Sequence, residues 1–141
     1  WLNNGLDQIV LSLYGVDEDN IIRTRGNKLI YERSMRALDA IKKMKEKYNF
    51  IFIVQTIIMK DIYKELDKIL DVAIDAGANL FWPSYLEDAV NLEDIRMTKD
   101  DIKDFKENIY KSIEEMVLNL IDAGVNGIIF NRYIDCISIS N

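Results

Sequence analysis

The hexapeptide IDAGAN at residues 74–79 returns as IDAGVN at residues 121–126. Each copy follows a helix-like stripe of apolar residues and leads into a short apolar run. A glycine just past a helix end supplies the left-handed residue that stops the helix. An Asp or Asn then turns the chain into the next element. Gly5-Leu6-Asp7 opens an earlier apolar run in the same style, and Asn49 takes that place without a glycine at another. The repeated junction constrains the chain to one unit, helix then Gly-apolar-Asx then strand, used several times.

Four apolar runs read as strands: residues 8–13 (QIVLSL), 50–58 (FIFIVQTII), 80–82 with Pro83 closing the run, and 127–130 (GIIF). They are β-branched or aromatic and nearly continuous in apolar character, the pattern of strands covered on both faces of a parallel sheet. Three helical stripes lie between and after them. The first is Ile30, Ser34, Ala37, Leu38, Ile41, Met44 and Tyr48. The second is Ile62, Leu66, Ile69, Leu70 and Ala73. The third is Ile102, Phe105, Ile109, Ile113, Met116, Val117 and Leu120. Each has the three-and-four spacing of an amphipathic helix, and the charged run 99–107 is the wet face of the third. Strand–helix alternation implies right-handed crossovers and a parallel sheet. The expected fold is therefore α/β: a partial (β/α) TIM-like barrel spanning residues 1–141, or a small doubly wound sheet.

Length and charge narrow the function. A chain of 141 residues suits one domain or part of one. Lys plus Arg is 18 against 24 Asp plus Glu, a net charge of −6, where a nucleic-acid-binding domain needs a basic face. No stretch approaches the roughly 18 apolar residues of a membrane span, and no signal peptide is visible. The single cysteine, Cys136, excludes an internal disulfide, so a reducing, cytoplasmic setting is the expectation. Histidine is absent, which removes Ser-His-Asp chemistry, histidine-based zinc sites and a histidine general base. The chain starts at Trp1, and WLNN reads like the tail of something earlier, so a fragment is expected.

In parallel α/β folds the chemistry sits at the carboxyl ends of the strands. The loops there are long at residues 15–29, short at 59–61 and long at 84–98. Ser12, Tyr14, Gln55, Thr56, Ser84 and Tyr85 are the residues placed to touch a ligand.

The residues at these ends carry a family resemblance. Ser12-Leu13-Tyr14-Gly15, an acidic loop Asp17-Glu18-Asp19-Asn20, and then Arg25-Gly26 before a helix resemble the second half of the catalytic barrel of radical S-adenosylmethionine enzymes. Gln55-Thr56-Ile57-Ile58-Met59-Lys60, followed by Lys64-Glu65-Leu66, resembles the end of the next strand in that family. Ala73 to Gly77 with Leu80-Phe81-Trp82-Pro83 continues the series. NLEDIRMTKDDIKDF resembles the loop and helix start after the sixth strand in peptide-modifying, SPASM-type members. Thr98 with Asp101 three residues on also reads as a helix N-cap with an acidic first turn. The resemblance covers residues 5–123.

The resemblance implies an enzyme that binds S-adenosylmethionine and a 4Fe-4S cluster. Reductive cleavage would yield a 5′-deoxyadenosyl radical that abstracts hydrogen from a peptide or small-molecule substrate, with the cofactor doing the hard chemistry. An electron donor such as ferredoxin or flavodoxin would be a partner. Carried over residue by residue, Ser12 sits near the ribose or carboxylate of the cofactor. Arg25 is a candidate for the carboxylate, which a guanidinium fork matches. Gln55 and Thr56 face the adenosyl or substrate side, and Pro83 and Ser84 lie where the sixth strand meets the adenine. The Cys-x3-Cys-x2-Cys loop that holds the cluster and the glycine-glycine-acidic motif that holds the methionine amine are absent, as both belong to the first half of the barrel. Tyr14 stands where the family often has Asp. No metal ligand or catalytic residue is assigned on this chain, and the chain alone is expected to be inactive.

Plainer roles stand beside these. Ser12 can bond a neighbouring backbone, Arg25 can cap a turn, Arg23 is solvated, and Gln55 needs a polar partner once buried. Residues 17–20 lack the glycine and final Glu of a calcium loop and read as a solvated turn. Trp82 and Tyr85 suit core and rim packing, and Cys136 suits a free thiol better than a ligand of an auxiliary cluster. The alternative function is a cluster-free α/β domain that binds an anionic ligand or a partner chain.

Overall fold

The computed structural model describes residues 5–60, 62–85, 93–122 and 129–130. The chain runs β1 (Gln8–Ser12), α1 (Glu18–Arg25), α2 (Lys28–Lys45), β2 (Ile51–Ile58), a 3-10 turn (Tyr63–Glu65), α3 (Leu66–Asp75), β3 (Leu80–Tyr85), α4 (Lys99–Asp104), a π turn (Phe105–Ile109), α5 (Tyr110–Asp122) and β4 (Ile129–Phe130). The strands form one open parallel sheet in sequence order, β1-β2-β3-β4. The second IDAG junction, most of its following strand and Cys136 lie outside the described residues, as do the side chains of Tyr85, Val117 and Leu120.

Local chemistry explains the boundaries. The side chain of Asp17 accepts from the Asn20 N–H and caps α1. Glu18 and Asp19 sit in its first turn and Arg23 and Arg25 in its last, as the helix dipole favours. Gly26 ends α1 at φ +70° and returns its N–H to the Ile22 carbonyl. This corrects the reading of residues 15–29 as a long loop with a solvated turn. Only Ile21 of α1 is buried, so the helix has no apolar stripe to announce it. Asn27 caps α2 through the Leu29 N–H. The N–H groups of Lys47 and Tyr48 both fold back on the Met44 carbonyl and close that helix. Tyr48 is therefore exposed beyond its end, not on its apolar stripe as the periodicity predicts.

The third stripe is one helix with a widened turn at residues 105–109. Thr98 and Asp101 form the expected capping box: the Asp101 N–H donates to Thr98 Oγ1 and the Thr98 N–H to Asp101 Oδ2, at 3.2 and 2.8 Å. Thr98→Ala is expected to cost ~1 kcal/mol, read as a lower melting temperature with an unchanged far-ultraviolet spectrum at 20 °C. Pro83 does not close its strand. β3 runs on to Tyr85, and its pairing with β4 is recorded at Leu80 and Phe81.

The core lies on one face of the sheet. Phe52, Val54 and Ile58 of β2, Leu13 just past β1 and Phe81 of β3 are buried there with Leu38 and Ile41 of α2, Leu66, Ile69 and Leu70 of α3, and Phe105 and Ile113. Ile53, which points the other way, is outside that cluster. The expectation that both faces are covered fails for the described residues: Val10 is 50% exposed, Ile51 50% and Trp82 40%. Among the described residues the helices that build the core pack on this one side, as sequential parallel strands with crossovers of one hand require. No helix among the described residues is long and apolar enough to cross a membrane.

Candidate functional site

The open face carries a row of polar and aromatic groups. Successive side chains on a strand alternate faces, and Ser12 on β1 is in register with Gln55 on β2, which is in register with Trp82 on β3. Ser12 and Trp82 are exposed and Gln55 is half-buried. One step toward the carboxyl ends, Ile57 is in register with Ser84; one step back, Val10 and Leu80 flank Ile53. None of these positions carries a charge. The row offers a hydroxyl, an amide and a flat indole in line across three strands.

Arg25 reaches the same end of the sheet by another route. It is the last residue of α1, and its guanidinium lies over the Tyr14 ring, 4.2 Å from the centroid. Stacking occupies the flat face of a guanidinium and leaves its in-plane donors directed outward. Tyr14 thus gives Arg25 a platform, where an aspartate would give it a counter-ion.

The sheet separates Thr56 and Pro83 from this row. Both are buried and in register with each other on the helix-covered side. Thr56 is fully buried, and its Oγ1 has no hydrogen-bond partner among the described residues. Its backbone carbonyl accepts from Ser84 Oγ at 3.4 Å. Ser12, Gln55 and Ser84 therefore belong to one face, Thr56 and Pro83 to the other, and Arg25 to the rim. Among the described residues no group of three or more His, Cys, Asp or Glu could hold a metal ion.

Two features were missed from the sequence. The first is Glu65, 8% exposed. It lies three residues after Ile62 and one before Leu66, on the apolar stripe, so a carboxylate among buried neighbours was legible there. Its Oε2 accepts from the Val16 N–H at 3.4 Å. Burial pushes its pKa above the ordinary value of 4.5, and the nearby charge of Asp17 adds to this; the Val16 N–H, Lys68 and Arg23 pull the other way. The folded state therefore binds this proton more tightly than the unfolded chain. The resulting stabilisation is full below pH 4.5 and is lost as pH rises through the raised value. Glu65→Gln is expected to melt at a higher temperature than the wild type at pH 7.5 and at the same temperature near pH 4.

The second is a tyrosine between two carboxylates. Tyr63 Oη, buried against Phe105 in an edge-on contact, donates to Asp104 Oδ2 at 2.8 Å and lies 3.3 Å from Asp101 Oδ1. Burial first, then the two aspartates, holds its proton well above the ordinary phenol range. The contact ties the turn after β2 to α4, and the Lys60 N–H bond to the Ile95 carbonyl ties the end of β2 to the segment that leads into α4. No family model matches the chain, and no curated protein sequence matches it.

Proposed function

We propose that this chain is one part of the catalytic barrel of a radical S-adenosylmethionine enzyme, with the open face of the sheet turned toward the cofactor and substrate. The observation that carries this reading is the register row Ser12–Gln55–Trp82. Of the residues that the family resemblance assigns to the ligand, Ser12, Gln55 and Ser84 share one uncharged face at the strand ends, with Arg25 at the rim, whereas Thr56 and Pro83 lie on the opposite face. Ser12 and Gln55 offer hydrogen bonds side by side, Trp82 offers a flat apolar surface, and the outward donors of Arg25 suit a carboxylate. Together they would bind and orient the ligand. S-adenosylmethionine, once bound and reduced, supplies a radical that abstracts hydrogen from a peptide or small-molecule substrate. A chain with one cysteine does not fit a three-cysteine cluster, so no part of the cluster is assigned to it. The cluster and the ferredoxin- or flavodoxin-type donor would act through another part of the barrel, in a reducing, cytoplasmic compartment.

The test is the coding sequence upstream of Trp1 and the protein it specifies. A frame-continuous Cys-x3-Cys-x2-Cys is expected, and the whole protein, reconstituted anaerobically, is expected to release 5′-deoxyadenosine. Ser12→Ala and Gln55→Ala should each weaken S-adenosylmethionine binding about fivefold to tenfold, the worth of one hydrogen bond. A whole protein without the triplet, or one that releases no 5′-deoxyadenosine, overturns the reading.

The exposure of Val10, Ile51 and Trp82 on one uncharged face favours a second reading, a cluster-free α/β domain that meets a partner chain there. Sheet edges and apolar faces of this kind are normally covered. That reading expects a dimer on sizing chromatography, and a stable soluble monomer counts against it.

A further inference from the structure

Helix α2 carries more positive charge than its place in the fold requires. Residues 28–47 hold seven Lys and Arg against three Asp and Glu, on a chain whose net charge is −6. Part of this has a structural cause. Lys42, Lys43 and Lys45 lie in the last turn, where the helix dipole favours cations. Lys45 donates to the Phe50 carbonyl and to Asn79, Lys42 pairs with Asp75 of α3, and Lys43 pairs with Asp39. Arg33 and Arg36 have no such cause. They sit mid-helix, both are exposed, and neither has an ion-pair partner among the described residues. Arg36 gives its Nε–H to the backbone carbonyl of Glu32 at 3.3 Å, not to the Glu32 carboxylate.

Three features of α2 give up stability in favour of this surface. Residues three apart on a helix are neighbours, so Arg33 and Arg36 repel each other. The first turn holds Lys28 and no acid, whereas the dipole favours Asp or Glu there; α1 beside it follows that rule at both ends. Leu29 is left 49% exposed. Leu29, Arg33, Arg36, Ala40 and Lys43 are spaced by four, three, four and three, which sets them in one stripe along the helix, and all five are exposed. The stripe is thus an apolar side chain followed by cations, two of them the planar fork that takes a carboxylate through two parallel bonds. Protein interfaces are enriched in arginine, and lysine is depleted there.

We propose that this stripe of α2 is a docking surface for a partner protein whose contacting segment is acidic and carries an apolar side chain. Carboxylates of the partner meet Arg33 and Arg36, and its apolar residue meets Leu29. Charge complementarity selects that occupant. A nucleic acid or an anionic lipid surface presents its charge over a wide area, and there Glu32, Asp39, Glu46 and the net charge of −6 oppose it. A short acidic segment touches the stripe alone. The stripe lies in the helix layer, apart from the open face of the sheet, and the proposal does not depend on the function proposed above.

The test is fluorescence anisotropy at low salt, with the full 141-residue chain and a fluorescein-labelled peptide that alternates Glu-Glu with Leu. The peptide is expected to bind, more weakly as salt is added, and its counterpart with Gln for every Glu is expected not to bind. Arg33→Glu with Arg36→Glu should weaken binding about tenfold, the worth of two exposed ion pairs. Lys106→Glu with Lys111→Glu changes the net charge equally at exposed positions elsewhere and should bind like the wild type. The proposal is overturned if the wild-type chain does not bind the acidic peptide, if the glutamine peptide binds as well, or if the Lys106 and Lys111 pair weakens binding as much as the arginine pair. Duplex DNA or phosphatidylserine vesicles bound as tightly as the peptide would also overturn it. So would a dimer of the chain that the arginine pair dissolves, since the occupant would then be a second copy. The wild-type comparisons decide the matter even if a variant fails to fold.

Discussion

Replacing Phe81 by alanine is expected to remove ~3–5 kcal/mol of stability, enough to leave a domain of ordinary stability, about 5–15 kcal/mol, close to unfolding at 37 °C. Phe81 is fully buried on the helix side of β3, in register with Val54 of β2 and Phe130 of β4. It stands where the sheet meets the core formed with α2, α3 and Phe105. Truncation leaves a ring-sized void that close-packed neighbours fill poorly. Urea denaturation would show a lower midpoint with the slope retained, and Phe81→Leu should recover more than half of the loss. A loss below about 1.5 kcal/mol, the range of volume-conserving swaps, would mean that β3 does not face the core this way.

Asn79→Ala is expected to cost ~1–3 kcal/mol through a different mechanism, a buried donor left without its acceptor. Asn79 Oδ1 accepts from the Phe52 N–H at 2.9 Å and from Lys45 Nζ at 2.8 Å, while the Asn79 N–H donates to the Phe52 carbonyl at 2.7 Å. The side chain thereby starts the β2–β3 ladder one residue before β3 begins. Lys45 also donates to the Phe50 carbonyl at 2.8 Å, and its stem passes 3.7 Å from where a Cβ on Gly77 would lie. Alanine keeps the backbone bond and abandons both donors. Asn79→Asp keeps the acceptor and gives Lys45 a counter-ion, so it should cost less than alanine. Lys45→Met spares the Phe52 bond and should also cost less. Chemical denaturation of the three variants separates these terms, and an alanine variant no worse than Lys45→Met would deny the ladder role.

These two residues show how much of the fold was legible. Phe81 lay in an apolar run and Asn79 in a repeated junction, so the strand and its entry could both be read. Gly77 stands just past α3 at φ +77°, where the repeat required a left-handed residue. The capping box at Thr98 and Asp101 was legible for the same reason, because short-range chemistry is written in neighbouring residues. Helix α1 was not, since its signals are caps and end charges with Ile21 as its one buried residue. The candidate site was legible in part. Ser12 and Gln55 share a face because strands alternate and the register pairs them. Thr56 and Pro83 sit opposite, although their place in the sequence is as close to the strand ends.

The sequence by itself determined the order of the strands and of the three amphipathic helices, the junction at Gly77, the cap at Thr98 and the parallel sense of the sheet, because periodicity and turn chemistry act over a few residues. The tertiary structure decided which face the helices cover and left Val10, Ile51 and Trp82 on the other. It also decided that Glu65, on an apolar stripe, would be buried against Gly15 and accept from the N–H of Val16, forty-nine positions away in the chain. Those outcomes depend on register and crossover hand, which bring distant residues together and leave no mark in any short stretch of sequence.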